Sequence, residues 1–261
     1  MQFDLFKHEY TNFFVQHKFK INSIVHVPNT VNFLSSDCGG NIFKWDIRTK
    51  EPVGTINLKN EKDFPKDGKA GHVNTLLAAD PTGQIVAVVS QKALFMFDLN
   101  KMGSSSFSSK GDMYSFTTDM KDLKFSQSGN LITTVDQHGH VYTVDSFELK
   151  NSKDDFEIPS VCAPLINDKL PNNMDELMPI YEGQDISADC DYFMDERYLV
   201  YGGNCGLLYL RDINEKKSIT ALHPGPQKRT KINKIKYGNS NLILTAGEDL
   251  SLWEANEQQP L

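Results

Sequence analysis

The chain has 261 residues, of which 39% are hydrophobic and 23% are charged, so it can bury a substantial core. Its 27 basic and 34 acidic side chains give a net charge of −7, which argues against direct binding to nucleic acid or to an anionic membrane. The four cysteines are scattered without a CxxC pair, which argues against a disulfide framework and against a zinc site.

The N-terminal residues lack the apolar stretch of a signal peptide, and no run of about 18 apolar residues occurs in the sequence. Scattered cysteines of this kind are typical of reduced thiols in a reducing compartment. We therefore expect a protein of the cytoplasm or the nucleus that is not secreted and does not span a membrane.

Five segments of the sequence repeat one pattern of three short apolar stretches separated by turns. The third stretch ends in an aromatic or apolar residue that is usually followed by an acid. β-Branched residues, aromatic residues and leucine dominate the stretches, and Gly, Asn, Asp or Pro lie between them, which is typical of strands and turns. No segment keeps a helical period, so the sequence predicts an all-β fold. The stretches are 21–28, 31–35 and 41–46, then 71–77, 85–90 and 94–98, then 123–129, 131–135 and 140–145, then 186–193, 198–201 and 206–212, and finally 232–237, 242–246 and 250–254.

The repeats begin roughly 45 to 65 residues apart, which is near the length of a propeller blade once loop insertions are allowed for. The dipeptide Trp45-Asp46 ends the first repeat, and Gly71-His72 begins the second. With these residues the chain resembles the WD-repeat family, and the resemblance implies a WD40-like β-propeller with five recognisable blades. The residues at the structural positions of that family are His17, Trp45, Asp46, His72, Phe97, Asp98, Asp145, Asp212 and Trp253.

In WD repeats, a histidine, an acid in a turn and the tryptophan form a buried hydrogen-bonded network. Phe116 and Lys228 stand at the histidine positions of the third and fifth repeats here. Gly39 and Cys205 stand where a turn acid is usual. The resemblance therefore implies that few blades hold a complete network.

We expect one propeller domain over residues 1–261, with an inter-strand insertion at about 150–184 that carries four prolines. Residues 3–16 are rich in aromatic side chains, and we expect a strand from this segment to complete the fifth blade and close the ring. Closure removes exposed sheet edges. The alternatives are six or seven blades with degenerate members, or an incomplete ring that a partner completes.

Residues that could carry chemistry are few. Asp136, His138 and His140 are close in sequence, but a structural metal site needs four ligands, so we expect no metal. Neither a Gly-x-Ser-x-Gly elbow nor a phosphate-binding glycine loop occurs. We therefore expect no enzyme activity, no cofactor and no small-molecule substrate.

The resemblance and the lack of catalytic motifs together favour a non-catalytic scaffold that binds other proteins in a multi-subunit complex. One alternative is a substrate receptor of a cullin-4-type ubiquitin ligase, because Ile42, Trp45, Asp46 and Arg48 resemble the box that docks on the ligase adaptor. A second alternative is a component of an RNA- or ribosome-associated particle that is held there by protein contacts.

Overall fold

A computed structural model describes most of the first 150 residues and shorter stretches after them. The regular structure within these ranges is almost entirely β-strand, with one 3₁₀ turn at Leu58–Asn60. No helix among the described residues has both the length and the apolar character that a membrane span requires. The predicted all-β class is confirmed. The described residues are 1–60, 73–90, 92–102, 114–116, 119–136, 140–147, 156–157, 189–193, 198–202, 208–212, 217–222, 232–237, 242–247 and 249–254.

The chain divides into two compact units. The first contains Met1–Phe125 and Ser146–Lys150, and the second contains Ser126–Asp145 and Asn151–Leu261. A single domain over the whole chain remains a prediction.

The first unit begins with an antiparallel hairpin and continues with two antiparallel four-stranded sheets. The sheet orders are β3-β4-β5-β6 and β7-β8-β9-β10, so every strand pairs with its neighbour in sequence. The strands are β1 (Gln2–Asp4), β2 (Glu9–Asn12), β3 (Ile21–His26), β4 (Asn32–Asp37), β5 (Asn41–Asp46), β6 (Gly54–Asn57), β7 (Thr75–Ala79), β8 (Ile85–Ser90), β9 (Ala93–Asp98), β10 (Tyr114–Ser115) and β11 (Met120–Phe125).

The second unit repeats this sequential pairing. Strands β12, β13 and β14 are neighbours in one sheet, a second sheet has the order β15-β16-β17-β18, and a third has the order β19-β20-β21. The strands are β12 (Leu131–Asp136), β13 (His140–Asp145), β14 (Phe156–Glu157), β15 (Asp189–Phe193), β16 (Tyr198–Gly202), β17 (Leu208–Asp212), β18 (Lys217–Leu222), β19 (Lys234–Tyr237), β20 (Leu242–Ala246) and β21 (Leu250–Glu254).

The turns at 80–83 and 126–129 have the same hydrogen bonds. Gly83 N donates to Asp80 O over 3.0 Å, and Gly129 N donates to Ser126 O over 3.1 Å. Both glycines have positive φ, 73° and 80°, a conformation that costs glycine little. A side chain at Gly83 would also meet the backbone, since its Cβ would lie 2.5 Å from Pro28 O.

The core of the first unit lies between its two four-stranded sheets. Leu34 and Ile42 come from the first sheet, and Val86, Val88 and Phe95 come from the second. Burial of an aliphatic side chain of this size stabilises a fold by about 1.5–3 kcal/mol, so this layer holds the two sheets together. In the second unit a corresponding cluster contains Tyr198, Val200, Leu208, Leu210, Ile232, Ile235 and Ile243.

The N-terminal segment does not complete the last sheet. The expectation that one of its strands completes the fifth blade is therefore wrong. Strand β1 pairs with β2, and β19-β20-β21 has three strands in the described part of the chain. The cause is local. The Asp4 carboxylate accepts the backbone N–H groups of Phe6 and Lys7 over 2.9 and 3.0 Å, and His8 has a φ of 54°. These bonds form a tight turn that folds the segment back on itself.

The fourth strand of a sheet was not predicted in the first four repeats. Strands β6, β10 and β14 have only two to four residues, too few to show an alternating pattern. Strand β18 has six residues and was also missed. Strand β14 lies inside the expected insertion at 150–184, and the other residues of that range lie outside the described part of the structure. The number of blades remains a prediction.

Candidate functional site

The first sheet has two faces with different neighbours. Side chains alternate along a strand, so Leu34 points to the second sheet while Phe33 and Ser35 point to the opposite side. We call this opposite side the outer face, which contains Ile24, Phe33, Ser35, Phe43 and Trp45. The N-terminal segment, residues 1–19, contacts it through Phe14 and His17. The segment and the sheet belong to the same unit.

A buried chain of hydrogen bonds joins the N-terminal segment to the outer face. His17 lies 2.8 Å from Asp37 through Nδ1 and 2.6 Å from Ser35 Oγ through Nε2. Trp45 Nε1 donates to Ser35 Oγ over 2.8 Å. A neutral imidazole satisfies every partner when Nδ1–H donates to the carboxylate and Nε2 accepts from the serine hydroxyl. The chain of bonds therefore runs from Trp45 through Ser35 and His17 to Asp37.

Asp37 also closes the turn between β4 and β5. Its Oδ1 accepts the backbone N–H groups of Gly39 and Asn41 over 2.9 and 3.0 Å, and the Asn41 side chain donates as well. Burial raises the pKa of the Asp37 carboxyl, but the hydrogen bonds from His17, Asn41 and Gly39 outweigh that effect and hold the pKa below its ordinary value. Asp37 is therefore ionised and fixed by its donors.

The turn acid of the first repeat is Asp37, and the expectation that Gly39 replaces it is wrong. Gly39 has a different role. A Cβ at this residue would lie 2.4 Å from the ring of Phe19, so the turn and the end of the N-terminal segment pack closely only because the residue is glycine. The sequence pattern misplaced the acid by two residues.

Aromatic rings surround the network. The Phe14 ring meets Phe33 and Trp45 edge to face, with centroids 5.0 and 5.2 Å apart, and the His17 ring meets Phe43 at 4.7 Å in the same way. Edge-to-face pairs of this kind contribute about 0.5–1.5 kcal/mol each beyond the area that they bury. These contacts hold residues 14–17 on the sheet.

The segment leaves two openings beside the outer face. A mainly apolar cavity of about 270 Å³ is lined by residues that include Phe14, Ile24 and Trp45. A wider polar groove of about 450 Å³ is lined by residues that include Arg48 and Lys50. Gln2 and Ile47 line both, so the cavity and the groove form one continuous surface.

Ser35, His17 and Asp37 stand in the order of a hydrolase triad, but their surroundings differ from one. Ser35 is 2% exposed, and its oxygen already accepts the Trp45 N–H. Donation to the serine oxygen withdraws electron density from the atom that would attack a substrate, whereas a catalytic serine needs a base and free access. The arrangement is suited to fixing the N-terminal segment. Among the described residues, no three His, Cys, Asp or Glu side chains are grouped to hold a metal ion.

The four residues of the expected adaptor-docking box do not form one surface. Ile42 and Trp45 are buried on opposite faces of the first sheet. Arg48 is 72% exposed, and its Nη2 lies 2.5 Å from Asp46 Oδ2. Hydrogen bonds from the Arg48 side chain and backbone lower the pKa of Asp46 to about 2. Of the four residues, only Arg48 has a largely exposed side chain, and that side chain is paired with Asp46.

No protein-family model matches the chain. Its structure is similar to the β-propeller domain of Cps50 (Swd1) from Myceliophteria thermophila, with a TM-score of 0.64 and 12% sequence identity over 93% of this chain and 68% of that chain. The chain has a β-propeller fold. At this identity the similarity concerns the fold alone.

Two hydrogen-bonding arrangements recur in more than one repeat of the propeller. Asp98 ends β9 as Asp46 ends β5, and each carboxylate accepts the backbone N–H two residues later, at 2.8 and 2.9 Å. Trp253 Nε1 donates to Thr245 Oγ1 over 3.0 Å, in the same strand relation as Trp45 and Ser35. The tryptophan and aspartate positions are therefore used for strand pairing and turn formation.

The other residues that the sequence placed at structural positions of the family differ in burial, and some of them lie outside the described residues. Phe97 and Asp212 are buried, and Asp145 is half-buried. His72, His138, Cys205 and Lys228 lie outside the described residues. Phe14, Ser35 and Asp37 were not identified as site residues from the sequence. The aromatic side chains before residue 17 were a signal that this segment packs against another part of the protein.

Proposed function

We propose that this chain is a non-catalytic protein-interaction scaffold that holds partner proteins in one assembly. The observation that carries the proposal is the exposure of large apolar side chains on the N-terminal segment and on β3. Phe6 is 97% exposed and Ile24 is 65% exposed. Apolar side chains that lie together on a surface mark sites of association. The exposed set is Met1, Phe3, Leu5, Phe6, Tyr10, Phe13, Val15, Phe19, Ile21 and Ile24.

The rigidity of the sheet under this surface supports the same function. The outer face is fixed by the bonds among Trp45, Ser35, His17 and Asp37, and by the rings around them. A surface that is ordered before it binds loses little conformational entropy on binding, so modest contacts give useful affinity.

The Ser35 hydroxyl is buried and hydrogen-bonded to both His17 and Trp45, which supports the non-catalytic part of the proposal. A hydrolase would need the Ser35 hydroxyl at the surface, whereas both its neighbours hold it in the sheet. Purified chain and the Ser35→Ala variant should therefore hydrolyse a panel of nitrophenyl esters at the same background rate. Faster turnover by the unmodified chain would contradict this part.

The scaffold function is tested by purification of the tagged chain from its own cells at its native expression level. We expect a small set of proteins to co-purify in a constant molar ratio through size-exclusion chromatography at moderate salt. A chain that elutes alone at its own size, or with partners in variable trace amounts, would overturn the scaffold proposal.

A second candidate function is the substrate receptor of a cullin-4-type ubiquitin ligase, and the exposure of Arg48 favours it. Arg48→Ala should then abolish capture of the ligase adaptor while leaving thermal unfolding unchanged. Lys59→Ala, at an exposed residue that lines neither opening, is the matched control. Adaptor capture that survives Arg48→Ala removes this candidate.

A further inference from the structure

Strand β3, at one edge of the first sheet, is left partly uncovered on its outer face. Phe14 and His17 cover the middle strands, β4 and β5, through Phe33, Phe43 and Trp45. Beside them, Ile24 on β3 remains 65% exposed and lines the apolar cavity. Its neighbour Ile21 is 43% exposed and lines the same cavity. The N-terminal segment is therefore an incomplete cover, and an apolar opening remains at the edge of the sheet.

The volume of this cavity indicates what kind of group can occupy it. Sites for cofactors and small-molecule ligands usually enclose about 300–1,000 Å³. A volume of about 270 Å³ lies just below that range, and its lining is mainly apolar. Hydrophobic side chains that serve as anchors at protein interfaces enter pockets of this kind. The cavity is therefore suited to an apolar anchor side chain rather than to a cofactor.

Three exposed lysines lie near the opening although the whole chain has a net charge of −7. Lys18 and Lys20 are exposed and stand beside the cavity residues His17 and Ile21. Lys50 lines the adjoining groove. Within the described ranges these three ammonium groups form no salt bridge. They are available to carboxylates of a partner.

The acids near this opening are fewer than the lysines. Asp4 lines the groove and its Oδ1 accepts the amides of Phe6 and Lys7, which does not remove its charge, and Glu51 is exposed beside Lys50. The Asp46 carboxylate is paired with Arg48. Three lysines against two carboxylates leave a small positive local charge, which favours an acidic partner through both attraction and faster encounter.

We infer that the outer face of the first sheet binds an acidic segment of a partner protein, whose apolar side chain enters the cavity beside Ile24 while its carboxylates meet Lys18, Lys20 and Lys50. This inference rests on the proposed scaffold function and names the surface and the partner chemistry that the scaffold uses.

A displayed library of random peptides tests the inference against the purified chain. We expect enriched peptides to carry Phe, Leu or Ile flanked by Asp or Glu. Reversal of two charges, in the Lys18→Glu/Lys20→Glu variant, should weaken an enriched peptide about tenfold, and added salt should weaken it further. Ile24→Asp should abolish binding, because it places a charge at the mouth of an apolar cavity.

Two matched variants serve as controls. Leu252→Asp makes the same change at a strand residue that is 66% exposed and lies in the other unit, and Lys59→Glu makes the same charge change away from both openings. Both should bind as the unmodified chain does. All variants replace exposed side chains, so their thermal unfolding should be unchanged, which separates lost binding from lost folding.

Several results would overturn the inference. They are a library without enrichment, enriched peptides that are neutral or basic, and binding that survives Ile24→Asp. Self-association of the chain that Ile24→Asp abolishes would also overturn it, since a second copy would then occupy the surface.

Failure of the scaffold function can be distinguished from failure of this inference. If the Ile24→Asp chain keeps its partners on purification from cells, the surface is wrong and the scaffold stands, whereas an unmodified chain without partners ends both.

Discussion

Asp37 is the residue on which the local structure of the first sheet depends most. One carboxylate accepts from the His17 ring, from two backbone amides and from a side-chain amide, and its side chain is fully buried. A residue in a turn thereby connects the N-terminal segment, the turn and two strands. The sequence presented it only as one polar residue among several.

Replacement of Asp37 by alanine should lower the free energy of unfolding by about 3 kcal/mol or more. The reason is that His17 and the amides of Gly39 and Asn41 would lose their acceptor in a buried site, and each unsatisfied buried donor costs about 1–3 kcal/mol. Urea unfolding measures the loss. Asp37→Asn keeps one acceptor oxygen and should lose less. Equal stability of all three chains would show that the network contributes nothing.

The stability of the chain should also depend on pH through Asp37. Its pKa is held below the ordinary value in the folded state, so the stabilisation is fully present above the unfolded pKa of about 3.9 and is lost as the pH falls through the lower folded pKa. Urea unfolding between about pH 5 and pH 3 should show a steeper loss for the unmodified chain than for Asp37→Asn. Parallel slopes would contradict this assignment.

At the scale of elements, the N-terminal segment behaves as two parts. The hairpin β1–β2 is mostly exposed, while residues 14–17 are fixed on the sheet by rings and hydrogen bonds. Phe19, which packs against Gly39, and Asn12, whose side chain donates to Ile47 O over 3.4 Å, also hold the segment on the sheet. This division also explains why the surface proposed for binding has a rigid base and an exposed border.

Phe14→Ala should destabilise the first unit by about 1–2 kcal/mol, because the ring is half-buried between Phe33 and Trp45. Trp45 fluorescence should change in the folded state, since the ring that meets its indole is gone. Phe6→Ala removes a similar ring that is 97% exposed and should change stability by less than about 0.5 kcal/mol. Equal effects of both substitutions would show that the segment does not pack as described.

The sequence predicted the elements better than the contacts between them. The first three strands of each repeat follow from apolar stretches bounded by turn residues, which are local signals. The two-residue strand β10 and the packing of Phe14 depend on residues distant in the chain, which no local pattern records. The same limit misplaced the turn acid at Gly39, because neighbouring polar residues differ only in which one reaches His17.

At the scale of the whole molecule, the same hydrogen bond between a tryptophan and a hydroxyl on the neighbouring strand recurs along the chain. The bond from Trp45 to Ser35 in the first unit has its counterpart from Trp253 to Thr245 in the second, although the partner residue differs. Serine and threonine both offer a hydroxyl at that position, so the repeat tolerates the exchange. Repeats that keep a hydrogen bond but vary its residues are hard to detect from sequence, which agrees with the match of structure without the match of a family model.

This recurrence does not make stability uniform, and hydrogen exchange should reveal the difference. Strand β8 pairs with β7 and β9 on its two sides, and Val86 and Val88 on it are fully buried. Its amides should exchange only on global unfolding, with rates that rise as urea is added. The amides of β1 and β2 should exchange many times faster and independently of urea, because an exposed two-stranded hairpin opens alone. Mass spectrometry of peptides from the two regions makes the comparison within one sample. Slow, urea-dependent exchange in the hairpin would mean that the hairpin is part of the cooperative core.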